Sequence, residues 1–276
     1  MKIILSRKGF DNQYGKQPSP ILPDGTLLSL PIPMRGERTS FSQLYHNSTS
    51  YIDIIKSLKP STHLSENDTC HLDPDIRKDA IDRGESWIPL FGQADSALSH
   101  LINNSVSQND LFLFFGTFRE VDIIKGQLKY KKGSPALHVI YGYLQIKELH
   151  RDQDSIRDKF SHHPHASALL LKKKLNGIFE ANDKLSFDSR QNGSGVLFFN
   201  RDLILTKEGL SKSKWNLPIQ FRDAKITYHS TSSFKQDYFQ SAAKGQEFII
   251  SDSKYAEEWA KNLIKKGTKP NRVEGG

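Results

Sequence analysis

A chain of 276 residues sits at the upper end of one domain or the lower end of two, and 16 Phe, 9 Tyr and 3 Trp supply bulky material for a packed core. A single cysteine excludes an intramolecular disulfide and any metal centre built on several thiolates, and fits a reducing cytoplasm. No apolar run approaches the roughly 20 residues of a membrane span.

The net charge of +8 is unevenly spread. Residues 61–100 carry eight acids against Arg77, Lys78 and Arg83, a net −5, which leaves +13 on the remainder. A basic body with one acidic pocket suits a protein that holds a polyanion and does acid–base work on part of it.

In chain order, Met1–Arg7 has too short an apolar core for a signal peptide and predicts a first β-strand. Residues 9–36 are dense in Gly and Pro, with Asp24-Gly25 closing a turn before a strand over Thr26–Leu30. Leu44, Ile52, Ile54, Ile55 and Leu58 predict a helix from Ser48 or Tyr51 to the residues before Pro60. The stretch from Thr69 to Arg77 follows. It holds Cys70, then His71, Asp73 and Asp75, and Pro74 biases Asp73 towards extended backbone, so a stiff loop is expected.

Ala94, Ala97, Leu98 and Leu101 share one helical face and predict a helix over Ala94–Asn104. Leu111–Phe115 is continuously apolar and predicts a central strand buried on both faces. A basic hairpin-like insert over Lys125–Gly133 and a second strong strand over Ala136–Glu148 come next. His162, His163 and His165 flank Pro164, at a nucleic-acid surface or a helix cap. Ser194–Leu205 predicts two strands about Asn200-Arg201-Asp202, Glu247–Ser251 a last short one, and Lys254–Lys266 an amphipathic helix ended by Gly267. The tail 267–276 is expected to be disordered, so residues 1–266 form a single elaborated domain. No internal repeat is visible.

The order Trp87, Phe91-Gly92-Gln93, a short helix, Asn109-Asp110-Leu111-Phe112-Leu113-Phe114-Phe115 and Ile140-Tyr141-Gly142 resembles the EVE, ASCH and YTH group of PUA-like domains. The likeness covers about a quarter of the chain, near residues 85–150, and departs in having Asn109 where glycine is usual and a long insert between the strands. It implies an α+β fold: a PUA-like mixed β-barrel with flanking helices and an elaborated C-terminal part. PUA-like barrels receive a flipped or modified base, which implies a base pocket near Trp87, Phe91, Gln93 and Phe115.

The whole chain also resembles the third of the nucleotide-modification-associated domain families. Lys2–Asp11, Pro18–Gly25, Cys70–Asp75, Phe91-Gly92-Gln93 and Asp110–Arg119 carry that resemblance. Such proteins accompany bacterial and phage systems that hypermodify DNA bases. The resemblance implies DNA as partner, beside other enzymes of a modification cluster, and most concretely hydration of the nitrile of 7-cyano-7-deazaguanine to the 7-amide. The opposing class is a non-catalytic reader of a modified base. No nuclease motif is visible.

Three chemistries suit the loop. Cys70 could add to a nitrile as a nucleophile, with His71, Asp73 and Asp75 as base and acid, although acidic surroundings oppose a thiolate. Asp73 or Asp75 could instead activate water as a general base. Zn²⁺ held by Cys70, His71 and the later histidines fits no established ligand spacing, so no cofactor is expected. Arg7, Lys8, Arg77 and Arg119 are candidate phosphate contacts, beside the Lys125–Lys132 insert and Lys172–Lys174. A target base in duplex DNA must first be flipped out.

Overall fold

The computed structural model describes residues 1–242 and 245–268. Its centre is β6 (Leu111–Ile124), whose first five residues are wholly buried, as continuous apolarity requires of a strand covered on both faces. On one side of β6 runs β1 (Ile3–Arg7) in parallel, registering Ile3 with Leu111; β12 (Glu247–Ser251) then joins β1 antiparallel, and β11 (Lys225–Ile226) joins β12. On the other side come β8 (Leu137–His150), β9 (Asn176–Ala181) and β5 (Leu90–Ala94), each antiparallel to the last. The ladder path is therefore β11-β12-β1-β6-β8-β9-β5. Three short strands pair off it: β2 (Ser19–Ile21) and β7 (Gln127–Tyr130) on β6, and β10 (Ser194–Val196) on β8. The 125–133 insert is the hairpin that its composition predicts, β7 folding back on β6.

This mixed sheet is not a closed barrel: among the described residues no ladder joins β5 to β11 or β12. It is nonetheless strongly curled. β5 and β12 lie five strand spacings apart, about 24 Å on a flat sheet. Yet the Gln93 amide on β5 donates directly to Glu247 Oε1 on β12. Register shifts between Ile140 and Gly142, and between Ile146 and Glu148, place bulges in β8, which bend a strand and raise its local twist. The two edges thus meet through polar side chains where a barrel would have backbone pairs, and that meeting point lines the site described below.

Among the described residues five α-helices flank the sheet: α1 (Tyr51–Leu58), α2 (Asp95–Asn103), α3 (Gln153–Lys159), α4 (Ala168–Leu171) and α5 (Lys254–Gly267). α1 starts where Ser50 Oγ accepts from the amide of Asp53, and it buries Ile52, Ile54, Ile55 and Leu58 against a core of its own that includes Phe10, Phe41 and Cys70. Ser50→Ala is expected to cost about 1 kcal/mol of stability, readable as a shift of the urea midpoint with unchanged slope.

Some expectations need correction. Thr26–Leu30 forms no strand; Leu27 and Thr26 make isolated bridges to Ile21 and Phe198, because the preceding turn sends Leu28 back to the carbonyl of Pro20. The second strand expected before Leu205 is a 3-10 turn over Arg201–Leu203, where the Asn200 side chain accepts from Asp202 N and competes with a ladder. Gly267 is the last helical residue, packed against Leu197, rather than a terminator beyond the end. The rest of the expected tail, 269–276, lies outside the described residues. Among the described residues no helix is long and apolar enough to cross a membrane.

Candidate active site

The 69–77 loop is pinned at both ends. β4 (Cys70–His71) pairs with β3 (Ile32–Pro33), and Asp75 exchanges both backbone hydrogen bonds with Leu90 at the start of β5. Successive residues of an extended chain face opposite sides. Cys70 therefore turns into the α1 core while His71 turns outward, and Asp73 reaches across to β5, where Oδ1 accepts from Gly92 N at 2.7 Å.

Three imidazoles surround Asp73. His71 Nδ1 donates to Glu37 Oε1 at 2.8 Å, which in the neutral ring leaves Nε2 as a bare lone pair 4.0 Å from Asp73 Oδ2. The Asn176 amide nitrogen donates to the His165 carbonyl and to Gln153, so its oxygen is the acceptor for His165 Nδ1–H at 2.7 Å. His165 Nε2 is then also a bare lone pair. Burial pushes this imidazole down to about 3, against the pull of the Asp73 carboxylate, so it is neutral near pH 7. His163 has the opposite tautomer, since Nδ1 accepts from His165 N at 3.2 Å. Its Nε2–H stands 3.3 Å from Asp73 Oδ1, fully buried and without a well-formed hydrogen bond. Burial by itself would raise the Asp73 carboxyl; the His163 contact and the surrounding imidazoles outweigh it and hold the group well below the usual carboxylate range. The acceptor atoms of His71, Asp73 and His165 all lie within 4.8 Å of one another, close enough to hold one metal ion.

This cluster forms one wall of an open cavity of about 700 Å³. The opposite wall is the seam between the sheet edges, where Glu247 Oε1 accepts from Ser6 Oγ, Lys8 Nζ and Gln93 Nε2. All three bonds fall on that one oxygen. At the mouth stand Tyr14 and Tyr228, both exposed, the latter stacked on His100 at 4.6 Å and held at a φ of 63°, a conformation bulky side chains rarely adopt. A model of nucleotide modification associated domain 3 matches residues 2–251. The chain belongs to that family. No curated protein and no solved structure matches it. The family ties the chain to nucleotide modification, and the cavity is of the size that holds a small ligand.

In this member of the nucleotide modification associated domain 3 family, His71, Asp73, Lys8, Arg7 and Gln93 all line the cavity. Arg7 donates to the Gly245 carbonyl from its rim. The other residues singled out from sequence lie elsewhere. Cys70 is wholly buried, its Sγ 3.6 Å from the Thr39 carbonyl, and burial with nearby Glu37 pushes the thiol well above its ordinary range, the reverse of what a nucleophile needs. Asp75 is buried in a two-bond ion pair with Arg83 and accepts from Trp87 Nε1, on the far side of Pro74 from the cluster. Trp87, under the Arg83 guanidinium, lines a separate cavity of about 500 Å³.

Phe91 and Phe115 were natural candidates for base stacking, but both are core. Phe91 packs among Phe112, Phe114 and Phe179, and Phe115 against Trp215 and Phe248, since β5 over Leu90–Gln93 and β6 over Leu111–Phe115 are covered on both faces. Arg77 is held by Asp79, Tyr51 and His46, and Arg119 by Lys131, Ser134 and the Tyr130 ring. Neither faces the cavity. Sequence reading passed over Glu37, Asn176, Glu247 and Tyr228. The one available signal was the histidine run around Pro164: His163 and His165 are buried against Asp73 instead of lying on a nucleic-acid surface, while His162 is exposed beside the cavity that Trp87 lines. Its expected capping role is met: His163 caps the Pro164–Ala166 turn.

Proposed function

We propose that the chain is an enzyme that tailors a modified base in DNA, with the 700 Å³ cavity as its base pocket. One observation carries this reading. His71, Asp73 and His165 each bring one ligand-capable side-chain atom within 4.8 Å of the others on the lining of a base-sized cavity, in a chain tied by family to nucleotide modification. Acceptors without donors of their own will orient a water by its two protons and draw charge onto its oxygen. The most concrete reaction is hydration of 7-cyano-7-deazaguanine. The water oxygen bonds to the nitrile carbon, one water proton passes through the cluster to the nitrile nitrogen, and the adduct tautomerises to the amide, so atoms and charge balance.

Recognition follows from the opposite wall. Glu247 Oε2, which takes none of the three bonds described, suits the N–H edge of a guanine-type base, and Tyr14 and Tyr228 offer faces on which an extruded base can stack. Incubation with DNA carrying the cyano base, then digestion and nucleoside mass spectrometry, is expected to show the gain of one water. Saturable binding with unchanged nucleoside masses would replace the enzyme by a reader of the same base.

A further inference from the structure

We propose that His71, Asp73 and His165 are the three protein ligands of a divalent transition-metal ion with open coordination positions facing the cavity; with the ion bound, the reacting water of the base-tailoring reading would be held through its oxygen on the ion, and the three side chains would serve the ion in place of the water's protons. Two imidazoles and one carboxylate are a borderline N/O donor set, and three protein donors leave room for water, the pattern of catalytic rather than structural centres. With a dication the set sums to +1, which suits a buried site that must receive an anionic nucleic acid.

What separates this group from a chance meeting of titratable residues is its supporting shell. A ligating histidine needs its other ring nitrogen fixed by an acceptor, and both have one: Glu37 for His71 and Asn176 for His165. Asp73 divides its oxygens in the same sense, Oδ1 tied to Gly92 N and Oδ2 facing His71. The buried His163 Nε2–H has no hydrogen-bond partner of good geometry, and an oxygen ligand on the ion would supply one. Bond lengths of about 2.0–2.2 Å set neighbouring ligand atoms roughly 3.0–3.5 Å apart, so binding draws the 4.0 Å between His71 Nε2 and Asp73 Oδ2 inward by roughly 1 Å or less. The other group able to converge on an ion, Glu148, His150 and Glu180, lacks such a shell: Glu148 is exposed and Glu180 is already paired with Lys147.

The test needs no substrate, so its failure and the failure of the base-tailoring reading are separable. The full chain, purified without chelator or metal-affinity resin, is assayed for metal content, then stripped and titrated with Co²⁺ while visible absorption is followed. About one ion per chain is expected, with ligand-field bands that vanish in His71→Gln and Asp73→Asn. Glu37→Gln, which keeps its shape and touches the ion only through His71, should weaken binding about 10–100-fold. Thermal melts confirm that each variant is folded, and Glu37→Gln decides the matter should Asp73→Asn fail to fold. Absence of both metal and bands overturns the proposal. So does binding that survives His71→Gln and Glu37→Gln, or that is lost in His150→Gln.

Discussion

Asp73→Asn is expected to lower the turnover of cyano-base DNA by about 10²–10⁴-fold, while Cys70→Ala leaves it within a few-fold of the native rate. The contrast follows from where the two side chains point. Asp73 is, among the described residues, the carboxylate that the three imidazoles surround, and an asparagine in its place would present an amide whose N–H₂ competes with the water for the His71 and His165 lone pairs. Cys70 lies on the other face of the same stretch of chain, in the α1 core, with its thiol held protonated. Its removal deletes one buried sulfur and is expected to cost roughly 1–2 kcal/mol of stability, not chemistry. Single-turnover product formation by nucleoside mass spectrometry, beside a thermal melt of each variant, separates the two effects. A folded Cys70→Ala protein without activity would return the thiol to the mechanism and remove Asp73 from its central place.

Much of the scaffold was legible because it is local. Strand β12 could be read to its ends from Glu247 to Ser251, and α1 and α5 announce themselves by apolar spacing, while their Ser50 and Ser253 caps are visible only in the structure. The central place of β6 follows from five consecutive apolar residues, whose burial needs cover on both faces. The site was legible only in part, because its second halves come from far along the chain. His71 is oriented by a residue 34 positions away and Gln93 is bonded to one 154 positions away; no spacing rule reaches that far. Cys70 and Asp75 attracted attention for their reactive types, and only the fold reveals that one faces a core and the other an arginine. Aromatic content has the same ambiguity. Phe91 and Phe115 look like stacking platforms until the cover over both faces of their strands is known, whereas Tyr228 shows its interest only through a backbone conformation that sequence does not display.

Gly92→Ala tests how tightly strand and histidine are fitted. Gly92 has no unusual φ to accommodate, so its reason for being glycine is space. A β-carbon there would lie 2.1 Å from His165 Cδ2 and 2.6 Å from Nε2, against the roughly 3.5–4.0 Å that carbon atoms need. The ring has little room to retreat. It is buried, its Nδ1 is bonded to Asn176, and the same asparagine holds its backbone carbonyl. The strand cannot retreat freely either, because Gly92 N donates to Asp73 and β5 is paired along its length with β9. The expected loss is about 2–3 kcal/mol, a fall in Tm of roughly 3–5 °C for a chain of this size. Activity should fall with it, since a displaced ring no longer aims Nε2 at the water site. The double variant Gly92→Ala/His165→Ala distinguishes crowding from a general weakness of β5: it should regain part of the lost stability and none of the activity. A Gly92→Ala protein with native Tm and native turnover would mean that His165 does not pack on this strand, and the cluster around Asp73 would lose the contact that holds it to the sheet.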